Sequence, residues 1–160
     1  MRRFLFRLLQ LTWGLPQTLA GFLLFLYWLP RAERRHGYHG AIVTEWKTGG
    51  GISLGLFVFI PQSCHPILRE SRELTPEESR QAVLVHEYGH CIQSLLLGPL
   101  YLIAVGVPSY LWANLPRFRR MRREKKLSYY AVYPENWANA LGEWAAKEPS
   151  PGQALPVRRS

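Results

Sequence analysis

The chain of 160 residues contains no aspartate, so all side-chain carboxylate chemistry falls to its glutamates. That excludes any metal site or acid–base pair built on Asp. Cysteine is scarce too. Cys64 and Cys91 are the only two, too few for a disulfide scaffold, and Cys91 is expected to be a reduced, packed thiol. Lysine is also rare, and the net charge of +9 with an isoelectric point near 10.0 is carried mostly by arginine. Such an excess attracts an anionic partner, a membrane surface or a nucleic acid. No nucleic-acid-binding signature accompanies the charge, so an anionic membrane surface is the expected partner and nucleic acid is not. The length allows one small domain with tails.

Charge is missing altogether from residues 8–30, LLQLTWGLPQTLAGFLLFLYWLP. The length fits a bilayer span, yet Gln10, Thr12, Pro16, Gln17 and Thr18 interrupt it. Arginines flank it on both sides, which gives no orientation under the positive-inside rule. An interfacial or re-entrant helix pair bent at Pro16 fits at least as well as a span. No small-residue cleavage site follows, so a secretory signal is disfavoured. A second uncharged stretch, 91–116, is broken by Gly98, Pro99, Gly106 and Pro108. It reads as a buried crossing or a second membrane-dipping element. The run Arg117–Lys126 (RFRRMRREKK) is a solvated connector or a patch for anionic lipid.

Against these absences stands His86-Glu87-Tyr88-Gly89-His90. Two His four apart lie on one helical face and can grip one metal ion. The Glu between them can reach a water on that metal as general base, the HExxH arrangement of zinc metallopeptidases. The motif needs a helix. Thr75 as N-cap, Pro76 at the first position and Glu78 completing a capping box start one. Gly98-Pro99 stops it, giving a helix over about 76–97. Upstream, Gly40–Trp46 and Ile52–Ile60 read as strands joined by a loose turn over 47–51, after a basic linker at 31–39. A last helix starts at Pro134 and runs to about Lys147.

Catalytic zinc takes three protein ligands and leaves one position for water. With His86 and His90 as two, the third must be His, Cys or Glu. Cys91 points off the shared face, and position 96 is Leu, which excludes a metzincin. His36, His39 and His65 lie upstream in loops. Elimination leaves Glu135 and Glu143. The segment Glu135-Asn136-Trp137-Ala138-Asn139 resembles the second helix of gluzincins, where a ligand Glu is followed four residues later by a carboxylate that orients a ligand His. The resemblance selects Glu135 as the metal ligand. Asn139 stands where the carboxylate is expected, a departure that leaves the orienting group uncharged.

The block HEYGHCIQSLLLGPLYLIAVGVPS, the later YPENWAN, the upstream SLGLFVF and Trp13–Gln17 together resemble a family of small, mostly bacterial, uncharacterised zincin-like proteins. The resemblance covers residues 8–142. It implies an α+β fold: a compact zincin-like domain with the HExxH helix, a small β-hairpin or sheet and an N-terminal apolar helical segment. The expected organisation is a membrane-associated segment over 1–35, a metal-binding domain over 36–147 and a disordered tail over 148–160. The expected function is a Zn²⁺-dependent metallopeptidase, membrane-associated and facing the bacterial cytoplasm, with Glu87 catalytic and His86, His90 and Glu135 on the metal. Its substrate would be a peptide or flexible protein segment added to the edge of Ile52–Ile60, where Gly55 admits substrate backbone. Tyr129, Tyr130 and Tyr133 are equal candidates to stabilise the oxyanion. Gly89 inside the helix is expected to mark close packing against the metal-side strand. The alternative is a non-enzymatic, zinc-stabilised membrane or partner-binding protein. Such a protein has no evident use for Glu87, which zinc binding does not need.

Overall fold

A computed structural model describes residues 2–32, 34–47, 50–64, 66–69 and 72–152. His65 and the tail beyond 152 lie outside the described residues. The fold is mixed α+β. Two helices open it, α1 (Arg2–Leu11) and α2 (Leu15–Trp28). They meet at 95°, with the break at residues 12–14 and Pro16 inside the first turn of α2, where its missing N–H costs nothing.

Four strands follow, β1 (Arg34–Tyr38), β2 (Ala41–Trp46), β3 (Ile52–Leu54) and β4 (Phe57–Pro61), in the spatial order β1-β2-β4-β3. The strands do not pair as one hairpin of 40–46 with 52–60. The basic linker forms an edge strand, β1, joined to β2 by His39-Gly40, both with positive φ, as a tight two-residue hairpin requires. The run Ile52–Ile60 is not one strand. Gly55 and Leu56 turn it back on itself, so β3 and β4 form the second hairpin. β2 then pairs parallel to β4. Both central strands are almost wholly buried, because helices cover both faces of the sheet. On one face Phe57 packs against Phe25 (ring centroids 5.3 Å apart) and Trp46 against Trp28 (5.5 Å) of α2. On the other lies α3 (Pro76–Leu97). There Glu45 of β2 meets Arg80 at 3.5 Å. A two-stranded ribbon, β5 (Leu68–Arg69) and β6 (Arg72–Glu73), precedes α3.

α3 begins as its sequence dictates. The Thr75 hydroxyl accepts from the Glu78 N–H, and the Glu78 carboxylate accepts from the Thr75 N–H. After α3 the chain passes through a π-helical turn (Leu102–Gly106) into α4 (Val107–Asn114), then α5 (Pro116–Glu124), which holds most of the basic run, and finally α6 (Glu135–Ala146).

α6 lies along α3, and two glycines set the spacing. A Cβ on Gly89 would strike the Ala138 backbone, and one on Gly142 would strike the Val85 carbonyl. Gly89 is therefore explained by the approach of α6, not by a strand. The described residues of the tail, 148–152, pack back on the domain. Ser150 is buried, with its N–H and hydroxyl both donating to Glu143 Oε1. Arg69 Nη2 reaches the same oxygen at 3.1 Å. Glu143, the other candidate left by elimination, thus holds the described end of the chain and stands outside the His86–His90–Glu135 group.

Candidate metal centre

The close approach of α3 and α6 brings His86, His90 and Glu135 together, each buried, with one ligand atom apiece all within 4.8 Å of one another. Glu135 is fully buried at the first turn of α6. Its Oε2 lies 3.1 Å from His86 Nε2 and 3.4 Å from His90 Nε2. Neither Glu135 oxygen has a hydrogen-bond partner, despite complete burial. An orphaned carboxylate is a costly feature unless a cation completes it.

The imidazole tautomers follow from neighbouring amides. Asn139 Nδ2 donates to the Gly152 carbonyl at 3.1 Å, which turns its Oδ1 toward His86 Nδ1, 2.7 Å away. Gln93 Nε2 donates to the Pro134 carbonyl at 3.0 Å, which turns its Oε1 toward His90 Nδ1, also 2.7 Å away. Each Nδ1 must therefore carry a proton, and each neutral ring presents a bare Nε2. Two Nε2 lone pairs and a carboxylate then converge with nothing between them. That donor set suits a divalent cation, with the hydrogen-bonded amides orienting both rings. From the sequence Gln93, three residues after His90, could line the cleft or face solvent; it is buried and sits one turn along the face of the ligand histidines.

Charge couples the three groups. Burial alone would raise the Glu135 carboxyl, but the two imidazoles at close range outweigh it and hold it well below the usual carboxylate range. Burial pulls His90 down, yet Glu135, Glu87 and Gln93 more than offset this and raise it to about 8.

Glu87, the next residue on α3, is buried beside the triad. Its Oε2 is 2.7 Å from Ser53 Oγ, and the same hydroxyl lies 2.7 Å from the Glu87 carbonyl. Ser53 belongs to the edge strand β3. Gly51, just before β3, backs onto the Glu87 carboxylate so closely that a Cβ would strike it. Tyr101, from the turn after α3, donates its hydroxyl to the Ser53 carbonyl at 3.0 Å. Neither Ser53 nor Tyr101 was singled out in the sequence, and no spacing rule links them to HExxH.

The three tyrosines separate. Tyr130 packs edge-on against His86, ring centroids 4.9 Å apart, and burial raises its hydroxyl pKa. Tyr129 lies against Ser109, and its carbonyl accepts from Trp112 Nε1. Tyr133 points elsewhere, donating to the Ala104 carbonyl at 2.6 Å from an exposed position. Gly55 also departs from expectation. It sits in the β3–β4 turn with φ +62° and abuts Thr18 of α2, so it faces the fold and not a ligand. His36 pairs with Glu45 at 3.7 Å, and His39 packs on Tyr88, both on the β1–β2 hairpin.

No protein-family model, curated protein or solved structure matches the chain. Its chemistry has to be read from the residues themselves.

Proposed function

We propose that the chain is a zinc metallopeptidase with a zincin-like arrangement: an HExxH helix, a neighbouring edge strand and a second helix that delivers the third ligand. The observation that carries this reading is the convergence of two bare imidazole nitrogens and an orphaned carboxylate beside Glu87. Two nitrogens and one oxygen, all buried, are the donor set of catalytic zinc. His86, His90 and Glu135 would hold the ion, which when bound supplies a Lewis acid for the scissile carbonyl and an acidified water.

The remaining steps belong to the chain. Glu87 accepts a proton from the attacking water and passes it to the leaving amine. The Ser53 hydroxyl holds its carboxylate in place. Tyr130 is the tyrosine placed to donate to the developing oxyanion, since it is the one that packs on a ligand histidine. An extended peptide or flexible protein segment would pair with β3, the strand that carries Ser53 past Glu87.

The test is hydrolysis of a mixed peptide library by the zinc-loaded protein, beside Glu87→Gln. Cleavage in wild type that falls by at least ~100-fold in the variant, at unchanged zinc content, supports the reading. Full zinc occupancy with no cleavage of any peptide would favour the alternative, a zinc site that only ties α3 to α6 in a membrane or partner-binding protein.

A further inference from the structure

The N-terminal helices are arranged against the usual rule of globular proteins. Gln10 of α1 and Gln17 of α2 are fully buried, at 0 % exposure, while leucines on the same helices face outward. Both Nε2 groups and Gln10 Oε1 are engaged, whereas Gln17 Oε1 has no partner. Gln10 Nε2 donates to the Cys91 carbonyl at 3.0 Å, and its Oε1 accepts from the Ser94 hydroxyl at 2.9 Å. Gln17 Nε2 donates to Ser94 Oγ at 2.8 Å and to the Gly98 carbonyl at 3.0 Å. Thr18 is buried beside them, its hydroxyl donating to the Gln10 carbonyl. The inner side of the α1–α2 corner is thus a polar network clamped to the C-terminal half of α3.

The outer side is apolar. Phe4, Leu5 and Leu8 of α1 and Leu19, Leu23 and Leu26 of α2 are exposed, Leu23 to 68 %. Trp13, at the corner, lies over Gly98 so closely that a Cβ there would enter the indole. That contact joins the corner to a second exposed stripe. Leu96, Leu100, Ile103, Val107 and Tyr110, spaced four, three, four and three apart, are all exposed, Ile103 to 73 %. So large a joined apolar surface on a water-facing protein marks an interaction site. Phe6, Phe25 and Trp28 still pack inward on the core, so the outer apolar face is surplus to it: unfavourable in water and favoured against hydrocarbon.

Charge selects the occupant. Residues 1–32 and 88–123 carry no carboxylate. They do carry Arg3, Arg7 and Arg31 next to the first surface, and the α5 arginines follow directly on the second. α2 rises about 21 Å over its 14 residues, short of a hydrocarbon core of roughly 30 Å. Among the described residues no single helix is long and apolar enough to cross a membrane.

We propose that the α1–α2 outer face and the Leu96–Tyr110 stripe together insert into one leaflet of an anionic bilayer, with the flanking arginines on its headgroups. A second copy of the chain covering the same face is the competing occupant.

The experiment is flotation of the full chain with phosphatidylcholine vesicles, with and without phosphatidylglycerol, beside Leu23→Glu and Ile103→Glu. The expected result is flotation strengthened at least ~10-fold by phosphatidylglycerol and weakened by salt. Each variant should bind at least ~10-fold more weakly at unchanged metal content, which reports an intact fold. Brominated lipid should quench wild-type tryptophan fluorescence, and Trp13→Phe should remove much of that quenching; this arm needs no charge variant to fold. Wild type that stays at the bottom of the gradient would overturn the proposal, as would variants that float equally. So would a discrete dimer in lipid-free buffer that either variant dissociates. Glu135→Ala should float like wild type, so vesicle binding is read independently of the metal and of any peptidase activity.

Discussion

His86 Nδ1 and Asn139 Oδ1 lie 2.7 Å apart, and the other end of the Asn139 amide is fixed on the Gly152 carbonyl. A neutral amide therefore sets the tautomer of a ligand histidine, and the chain end sets the amide. Removing such an orienting partner weakens metal binding by roughly 10- to 100-fold. Asn139→Ala is expected to fall in that range by competition with a fluorescent chelator. Asn139→Asp, which keeps an acceptor toward Nδ1, should stay within about tenfold of wild type. Equal affinities for all three would mean that the amide does not orient the ring.

The spacing of α3 and α6 gives a second prediction. A methyl group at Gly142 meets the Val85 carbonyl, and backbone cannot step aside as a side chain can. Gly142→Ala should cost about 1–3 kcal/mol through overpacking. At ~2–4 °C per kcal/mol for a chain of this size, the melting temperature should drop by several degrees. Metal affinity should fall with it, because the same displacement carries Glu135 away from His86. Gly50 has open space around it, and Gly50→Ala should stay within ~0.5 kcal/mol of wild type. A harmless Gly142→Ala would contradict the close packing.

Ser94 stands between two buried glutamines, accepting from Gln17 and donating to Gln10. Ser94→Ala removes both bonds and leaves the buried Gln10 Oε1 without its donor, while Gln17 Nε2 keeps the Gly98 carbonyl. The expected loss is about 1–3 kcal/mol by denaturant titration. A value near zero would show that the glutamines find other partners and that the network does not hold the N-terminal helices on α3.

His36 supplies a pH dependence. Burial lowers its pKa below 6.5, with Arg34 and Arg80 acting in the same direction and Glu45 opposing. The unfolded chain therefore takes up this proton before the folded one. The contribution to stability is complete above pH 6.5 and is lost as pH falls through the lower folded value. Melting temperatures of wild type and His36→Gln, both in chelator, should converge as the pH is lowered from about 7.5 to about 5.5, roughly one unit either side of the ordinary histidine value. A constant difference across that window would rule His36 out as the titrating group.

The helix carrying HExxH was legible to the residue, since Thr75, Pro76, Glu78 and Gly98 mark its ends by local rules that tertiary contacts did not override. The absence of Asp narrowed the third ligand to Glu135 or Glu143, and the resemblance of 135–139 to a gluzincin second helix chose between them. The strand pairing was not. A glycine-rich stretch at 49–51 looks more like a turn than Gly55-Leu56 does, and nothing local shows that α2 holds the second turn closed through Thr18. The parallel pairing of β2 and β4 depends on contacts between distant segments and has no short-range signal. Ser53 and Tyr101 were missed for a related reason: each acts on the site through hydrogen bonds alone, and Ser and Tyr occur in too many roles for type alone to mark them. The polar buried faces of α1 and α2 were read only as interruptions of an apolar run, because a sequence does not say which side of a helix will be covered.

The most direct test is the metal content of the purified chain, by elemental analysis, for wild type, Glu87→Gln and Glu135→Ala. The account predicts about one divalent ion per chain in the first two and loss of most of it in Glu135→Ala, because Glu135 is a ligand and Glu87 is not. No metal in wild type after equilibration with zinc, or as much in Glu135→Ala as in wild type, would contradict the three-residue centre and the function built on it.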